Sequence, residues 1–199
     1  MIRALLISIF VFQVISCEKD PKNNLFPNLV FRENQELVSS VKIFNNLSIS
    51  LPKSMEKLDS ESFKKLEASL ENIKDSYFVN DVLTAYTNKD GFTCIISSVK
   101  HENIVYDVLK NQVEPRFLEV YGEDNLITGQ FSIKDNKVFQ MILGDGNITN
   151  YKFYIDVLSN NSYQIDYFIP AKNFTKLQEA MEASISTINV KSKENKDEK

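Results

Sequence analysis

Two alternating apolar runs near the C-terminal end of the chain constrain its fold most strongly. In Tyr151 to Leu158 every second residue is aromatic or branched aliphatic, and the same alternation recurs in Tyr163 to Ile169. Side chains of a β-strand point alternately to opposite faces, so each run predicts a strand with one apolar face. The short stretch Ser159 to Ser162 is sufficient for a turn but not for a crossover, and it therefore predicts antiparallel pairing.

Further strands and helices are predicted along the rest of the chain. Apolar alternation between turn residues predicts strands at Leu47–Leu51, Val82–Thr87, Phe92–Val99, Gly129–Ile133 and Val138–Leu143. Apolar residues three to four apart predict helices at Ser60–Lys74, His101–Tyr121 and Asn173–Ile188. Asp59 or Ser60 is expected to cap the first helix. Pro115 is expected to kink the second helical region or to begin a new segment within it, and Gly122 to end it.

The fold class follows from the order of these elements. Short turns join successive strands, which predicts an antiparallel sheet. Phe92–Val99 carries apolar residues on both faces, so both faces of the sheet are expected to be covered. The sequence thus predicts an α+β fold, an α/β/α sandwich with a central antiparallel sheet covered by helices on both faces.

The N-terminus reads as an export signal that ends at a cysteine. Arg3 gives a minimal positive region, and Ala4 to Ile15 is apolar except for two residues. A helix of roughly a dozen residues spans only ~18 Å, which is too short to cross a hydrocarbon core ~30 Å thick. Val14-Ile15-Ser16-Cys17 fits the lipobox of bacterial lipoproteins, in which the cysteine is acylated and becomes the first mature residue. The alternative is an ordinary secretory signal followed by a chance cysteine.

This interpretation divides the chain into four parts. We expect a lipoprotein signal peptide at 1–16, a lipidated tether at 17–40, an α/β/α domain at 41–190 and a disordered charged tail at 191–199. Apolar residues between Phe26 and Phe31 interrupt the tether, so part of it is expected to dock on the domain. More than one acyl chain on Cys17 is sufficient for stable anchoring. The predicted location is the bacterial cell envelope, with the outer membrane preferred because Glu18, and not aspartate, follows the cysteine.

Composition argues against several classes of function. A net charge of −4 and a pI near 5.2 disfavour nucleic acid as a partner. Cys94 lies in an apolar strand and is expected to be a buried, inert thiol, and His101 is expected to be a surface or capping residue. Asp145, Asn147, Thr149 and Asp156 have calcium-loop spacing, but a plain hairpin turn fits them better. We therefore predict no catalytic residue, no metal site and no cofactor.

The order of elements resembles a known family. Phe44 to Pro52 is a strand closed by proline, Tyr167-Phe168-Ile169-Pro170 ends the closing strand pair, and the terminal helix runs into Ser184 to Ile188. These features are similar to those of PsbP/Mog1-like proteins, including the DcrB-like bacterial lipoproteins, over about Lys42 to Val190. Tryptophan often follows the opening Leu-Pro in that family, whereas this chain has none. The resemblance implies a non-enzymatic binding or accessory module and no site residues.

Three functional hypotheses follow. The first is a lipid-anchored, non-enzymatic envelope protein that binds an unidentified envelope protein or assists a larger assembly. The second is a lipoprotein that binds a small apolar ligand between sheet and helices. The third is a hydrolase using carboxylates such as Glu123 and Asp124, although adjacent charged loop residues are usually only solvated.

Overall fold

Strands dominate the computed structural model of the chain, which describes residues 31, 33–71, 79–100, 108–134, 136–144, 146–155 and 161–191. In these ranges ten strands form two antiparallel sheets, and three α-helices accompany them. The strands are β1 Val38–Phe44, β2 Leu47–Pro52, β3 Glu56–Lys57, β4 Val79–Thr87, β5 Thr93–Lys100, β6 Leu126–Ile133, β7 Asn136–Gly144, β8 Ile148–Ile155, β9 Asn161–Pro170 and β10 Asn189–Val190. The α-helices are α1 Ser60–Glu71, α2 Glu114–Tyr121 and α3 Phe174–Ser186.

The larger sheet has seven strands in the order β3-β4-β5-β9-β8-β7-β6, and the smaller has the order β1-β2-β10. The predicted α+β content and antiparallel pairing are confirmed. The two alternating runs pair as expected, with Tyr151 opposite Tyr167 and Phe153 opposite Ile165. The last three residues of the strand predicted at Tyr151 to Leu158, residues 156–158, lie outside the described residues.

The smaller sheet was not predicted as a separate unit. β1 begins at Val38, ahead of the expected domain start at 41, and its apolar residues do not follow a buried alternation. β10 comes from the end of the chain and pairs with β2, placing Asn189 opposite Ser48. Pairing between residues so distant in sequence leaves no local pattern, so periodicity could not reveal it.

α1 begins at the expected Ser60, and α3 lies within the expected range Asn173–Ile188. The predicted end of the first helix at 72–74 and the predicted start of the second helical region at 101–107 lie outside the described residues. The carboxylate of Asp59 accepts the backbone N–H groups of Glu61 and Ser62 at 3.0 and 2.9 Å, which identifies Asp59 as the cap of α1. In the second helical region, a π-helical segment at Leu109–Val113 leads into α2. Pro115 lies in the first turn of α2, directly after the π-helical segment, so the predicted new segment begins at this proline. Gly122 ends α2 with a φ of 77°.

Buried apolar side chains form two clusters. The first contains alternate residues of the larger sheet, such as Tyr151, Phe153 and Ile165, together with β2 and the α3 residues Leu177, Met181 and Ile185. The second contains residues of the opposite parity, including Phe139, Met141 and Tyr154, together with Leu109 and Val113 of the π-helical segment. Because side chains alternate along a strand, the two clusters lie on opposite faces of the larger sheet. We call these the first face and the second face.

Candidate functional site

The residues singled out by sequence fall into two groups. Cys17 and His101 lie outside the described residues, as do Asp145 and Asp156 of the calcium-like spacing. Cys94 lies on β5 in the first cluster with 0% of its surface exposed. Burial raises the pKa of its thiol well above the ordinary value, so the thiol stays protonated and unreactive.

The carboxylate pair and the metal-ligand patterns gain no support from geometry. Glu123 and Asp124 are both exposed in a short 3₁₀ turn after α2. Within the described ranges, no three His, Cys, Asp or Glu side chains come close enough to hold a metal ion. None of the described helices combines the length and apolar character that crossing a bilayer requires.

A buried ion pair occupies the second face of the larger sheet. Lys152 on β8 lies directly opposite Asp166 on β9, and its ammonium bonds Oδ1 of the carboxylate. The amide Nε2 of Gln164 donates to Oδ2 of the same carboxylate at 2.6 Å. The side chains of Lys152 and Asp166 are only 12% and 7% exposed. Both carboxylate oxygens are therefore engaged, and the buried charges neutralise each other.

The surroundings of this pair are also polar. Tyr154 is paired with Gln164 across the strands, and burial, followed by the charge of Asp166, raises the pKa of its hydroxyl well above 10. Oδ1 of Asn150, two residues before Lys152 on the same face, is buried and has no hydrogen-bond partner among the described residues. A phenol held protonated beside a neutralised carboxylate offers neither a base nor a nucleophile. The arrangement fits a structural role that fixes the β8–β9 register.

Sequence reasoning missed this pair, although a signal was present. Lys152 and Asp166 place opposite charges in the two alternating runs, on the face opposite Tyr151 and Tyr167. The predicted turn at Ser159–Ser162 is centred between residues 160 and 161 and would have placed Lys152 opposite Ile169. In the observed ladder Lys152 lies opposite Asp166, so the pair depends on a register that the sequence did not predict.

Hydroxyl groups on the first face join the two sheets and α3. The Oγ of Ser184 on α3 donates to the backbone oxygen of Ser50 on β2 at 2.6 Å. Its single proton is then used, so the Tyr167 hydroxyl donates to Ser184 Oγ across 2.7 Å. The Tyr163 hydroxyl similarly bonds Oδ1 of Asn46, in the turn between β1 and β2. These contacts fix the smaller sheet and α3 against the larger sheet.

Tyr151 is an exception on this face. Its ring lies 6.5 Å from that of Phe174 on α3, yet its hydroxyl is buried and has no hydrogen-bond partner among the described residues. Burial, followed by the negative charge of Glu182, raises the pKa of this hydroxyl well above 10. A buried hydroxyl that makes no hydrogen bond lowers the stability of the fold by about 1–3 kcal/mol. The region between β8 and α3 is therefore where a bound molecule would gain a hydrogen bond.

The clearest exposed apolar surface belongs to β1. Val41 and Ile43 lie on one face of this strand and are 61% and 73% exposed. They are paired with Ser50 and Ser48 of β2. In the described part of the chain β1 pairs only with β2, so its outer edge is open. We call Val41, Ile43 and this edge the β1 surface.

The β1 surface does not suit the addition of another strand. Its register shifts between Val38 and Val41, and Lys42 places a charge on the strand. Bulges and lysines on edge strands are devices that discourage strand pairing. A partner at this surface would instead contact the two apolar side chains.

Comparisons with known proteins do not identify the chain. No family model matches it, and no curated protein matches it. A crystal structure from Bacteroides thetaiotaomicron is similar over 76% of this chain at 13% identity, with a TM-score of 0.42. The likeness spans 47% of that chain, so this protein corresponds to about half of it. At that TM-score the likeness carries no argument about fold or function.

Proposed function

We propose that this protein is a lipid-anchored, non-enzymatic module of the bacterial cell envelope that binds another envelope protein. The β1 surface carries the proposal. Large apolar side chains exposed as a neighbouring pair are typical of contact sites when polar residues surround them. The lipobox ending at Cys17 supplies the anchor, and its acyl chains are the proposed contact with the membrane, with the outer membrane preferred.

The arrangement of buried side chains supports a non-enzymatic role. The ionisable groups inside the described domain are paired, as in Lys152–Asp166, or held protonated, as in Cys94 and Tyr167. A general base must be free to accept a proton near neutral pH. These groups serve packing and register instead.

We also propose that the fold is an α/β/α sandwich related to PsbP/Mog1-like proteins. Supporting this are the α3 residues in the first cluster and the π-helical residues Leu109 and Val113 in the second, since these clusters lie on opposite faces of one sheet. Part of the second helical region, 101–107, lies outside the described residues.

Site-specific photo-crosslinking in cells that produce the full chain tests the binding proposal. A photoreactive residue replaces Ile43 in one strain and Lys64, an exposed polar residue of α1, in a control strain. We expect one reproducible protein adduct at position 43 that is absent at position 64. Equal adduct patterns at both positions, or an adduct that persists when Val41→Asp is added, would contradict the proposal.

A second candidate function is the binding of a small apolar ligand between sheet and helices. The Tyr151 hydroxyl beneath α3 favours it, because this hydroxyl is buried and no described residue bonds it, so a mostly apolar ligand with one acceptor would satisfy it. Titration with the fluorescent probe prodan, a naphthalene derivative whose ketone oxygen is an acceptor, tests the idea. Saturable one-to-one binding that weakens in Tyr151→Phe is expected, and a linear, non-saturating signal would count against it.

A further inference from the structure

The outer edge of β6 is less protected than the other sheet edges. β6 runs from Leu126 to Ile133 without a charged residue or a proline, and its pairing with β7 continues without a register shift. By contrast, the opposite edge strand β3 has two residues, and β1 carries a bulge and Lys42. A long, uncharged and regular edge is a site where another extended segment adds.

One residue of the N-terminal region already contacts this edge. The ring of Phe31, where the described chain begins, lies 4.6 Å from the ring of Phe131 on β6. Phe131 in turn makes an edge-to-face contact with Phe153, so Phe31 extends the first cluster beyond the sheet edge. The described chain therefore begins at the edge of β6.

The space beside Phe131 is asymmetric. Towards one end of β6, Ile133 is buried, with 6% exposed. Towards the other end, Ile127 is 39% exposed, and a side chain added at Gly129 would meet nothing within 4 Å. Residues 127, 129, 131 and 133 share one face of the strand. Open apolar surface therefore runs from Phe131 over Gly129 to Ile127.

We propose that the segment Phe26–Val30 of this chain docks along the edge of β6, parallel to the strand, with Leu29 beside Gly129. The segment is apolar except for Asn28, and Leu29 lies two positions before Phe31, as Gly129 lies two positions before Phe131. In an extended segment Leu29 shares a face with Phe31, so it covers the position where β6 has no side chain.

Docking shortens the tether. The expected tether of 17–40 reaches about 75 Å when fully extended, whereas a segment fixed from Phe26 leaves about 30 Å beyond Cys17. If Cys17 is acylated as proposed above, docking keeps the β6 edge within about 30 Å of the bilayer surface. The docking itself is independent of acylation and of the β1 surface.

Disulfide trapping tests the proposed register in the chain from residue 17 onward, carrying Cys17→Ser. Leu29→Cys is combined with Gly129→Cys in one protein and with Ser132→Cys in the control. Ser132 is exposed on β6, closer to Phe131 but on the opposite face. We expect the 29–129 pair to form an intramolecular disulfide at least about tenfold faster than the 29–132 pair, because docking raises effective concentration only for a facing pair. Equal rates, or faster trapping of the control, would overturn the proposal.

Hydrogen exchange supplies a test that needs no engineered cysteine. In the same chain, Leu29→Asp should accelerate exchange of the β6 amides, since a charge disfavours docking on an apolar edge. Asn24→Asp adds the same charge upstream of the segment and should leave β6 unchanged. Unaltered exchange in Leu29→Asp, or equal acceleration in both variants, would refute the docking.

Discussion

Removing one member of the Lys152–Asp166 pair should destabilise the fold more strongly than removing both. Asp166→Ala leaves the Lys152 ammonium buried at 12% exposure without its counter-charge, and it deprives Gln164 of an acceptor. Breaking a buried pair in this way costs about 3–5 kcal/mol. The cost is a large part of the total stability of a domain, which is about 5–15 kcal/mol.

The matching double variant separates charge from packing. Lys152→Met with Asp166→Leu replaces both charges by apolar groups of similar size, and such replacements are often neutral or stabilising. If the two single costs were independent, the double variant would lose about 6–10 kcal/mol. We instead expect it to lose no more than about 3 kcal/mol, since the charges are gone and only the Gln164 amide is deprived of the Asp166 acceptor.

Urea denaturation followed by circular dichroism measures these differences. With a slope of about 1.5–2 kcal/mol/M, a loss of 3 kcal/mol lowers the midpoint by about 1.5–2 M. The effect should persist at high salt because buried pairs are screened little. The interpretation would be refuted if Asp166→Ala cost less than about 1 kcal/mol, or if the double variant showed the sum of the single losses.

Three further predictions concern the capping, the core and the buried thiol. The pKa of Asp59 is lowered chiefly by the backbone N–H of Ser62, so its capping contribution is present above the pKa of an unfolded carboxyl and is lost as pH falls through the lowered folded value. Asp59→Ala should therefore lower the melting temperature at pH 7 and much less in acid; an equal loss at both would contradict this. Met181→Ala should cost about 2–5 kcal/mol in urea denaturation because Met181 is 0% exposed, whereas exposed Lys176→Ala should change stability by no more than about 0.5 kcal/mol. Cys94 should react with a chromogenic disulfide reagent at pH 8 only after unfolding; rapid reaction of the folded protein would show that the thiol is accessible.

Periodicity predicted the elements whose burial it reflects. β2, β8 and β9 alternate because one face of each lies in the first cluster, and α3 carries a stripe because Leu177, Met181 and Ile185 face that cluster. Their existence and type were therefore predictable from sequence. The observed strand ends differ from the predicted ones by a few residues. Ile148, for example, belongs to β8 but is 44% exposed, so the buried alternation does not include it.

The elements that sequence could not predict depend on distant partners. β1 exposes Val41 and Ile43 and has no buried alternation, so it is defined mainly by its pairing with β2. β10 exists because Asn189 pairs with Ser48, a contact between opposite ends of the domain. The β1 surface was consequently invisible to a local pattern. The Lys152–Asp166 pair was missed because the turn predicted at Ser159–Ser162 implies a different register from the observed one.

Mass measurement of the N-terminus of protein isolated from its native membrane tests the central claim most directly. The lipobox predicts a chain that begins at Cys17, with the leader 1–16 removed and acyl groups attached to the cysteine. A mature terminus at Cys17 carrying these groups would support a protein held at a bilayer by its own first residue. An intact Met1, or a terminus at any position without acyl groups, would contradict it.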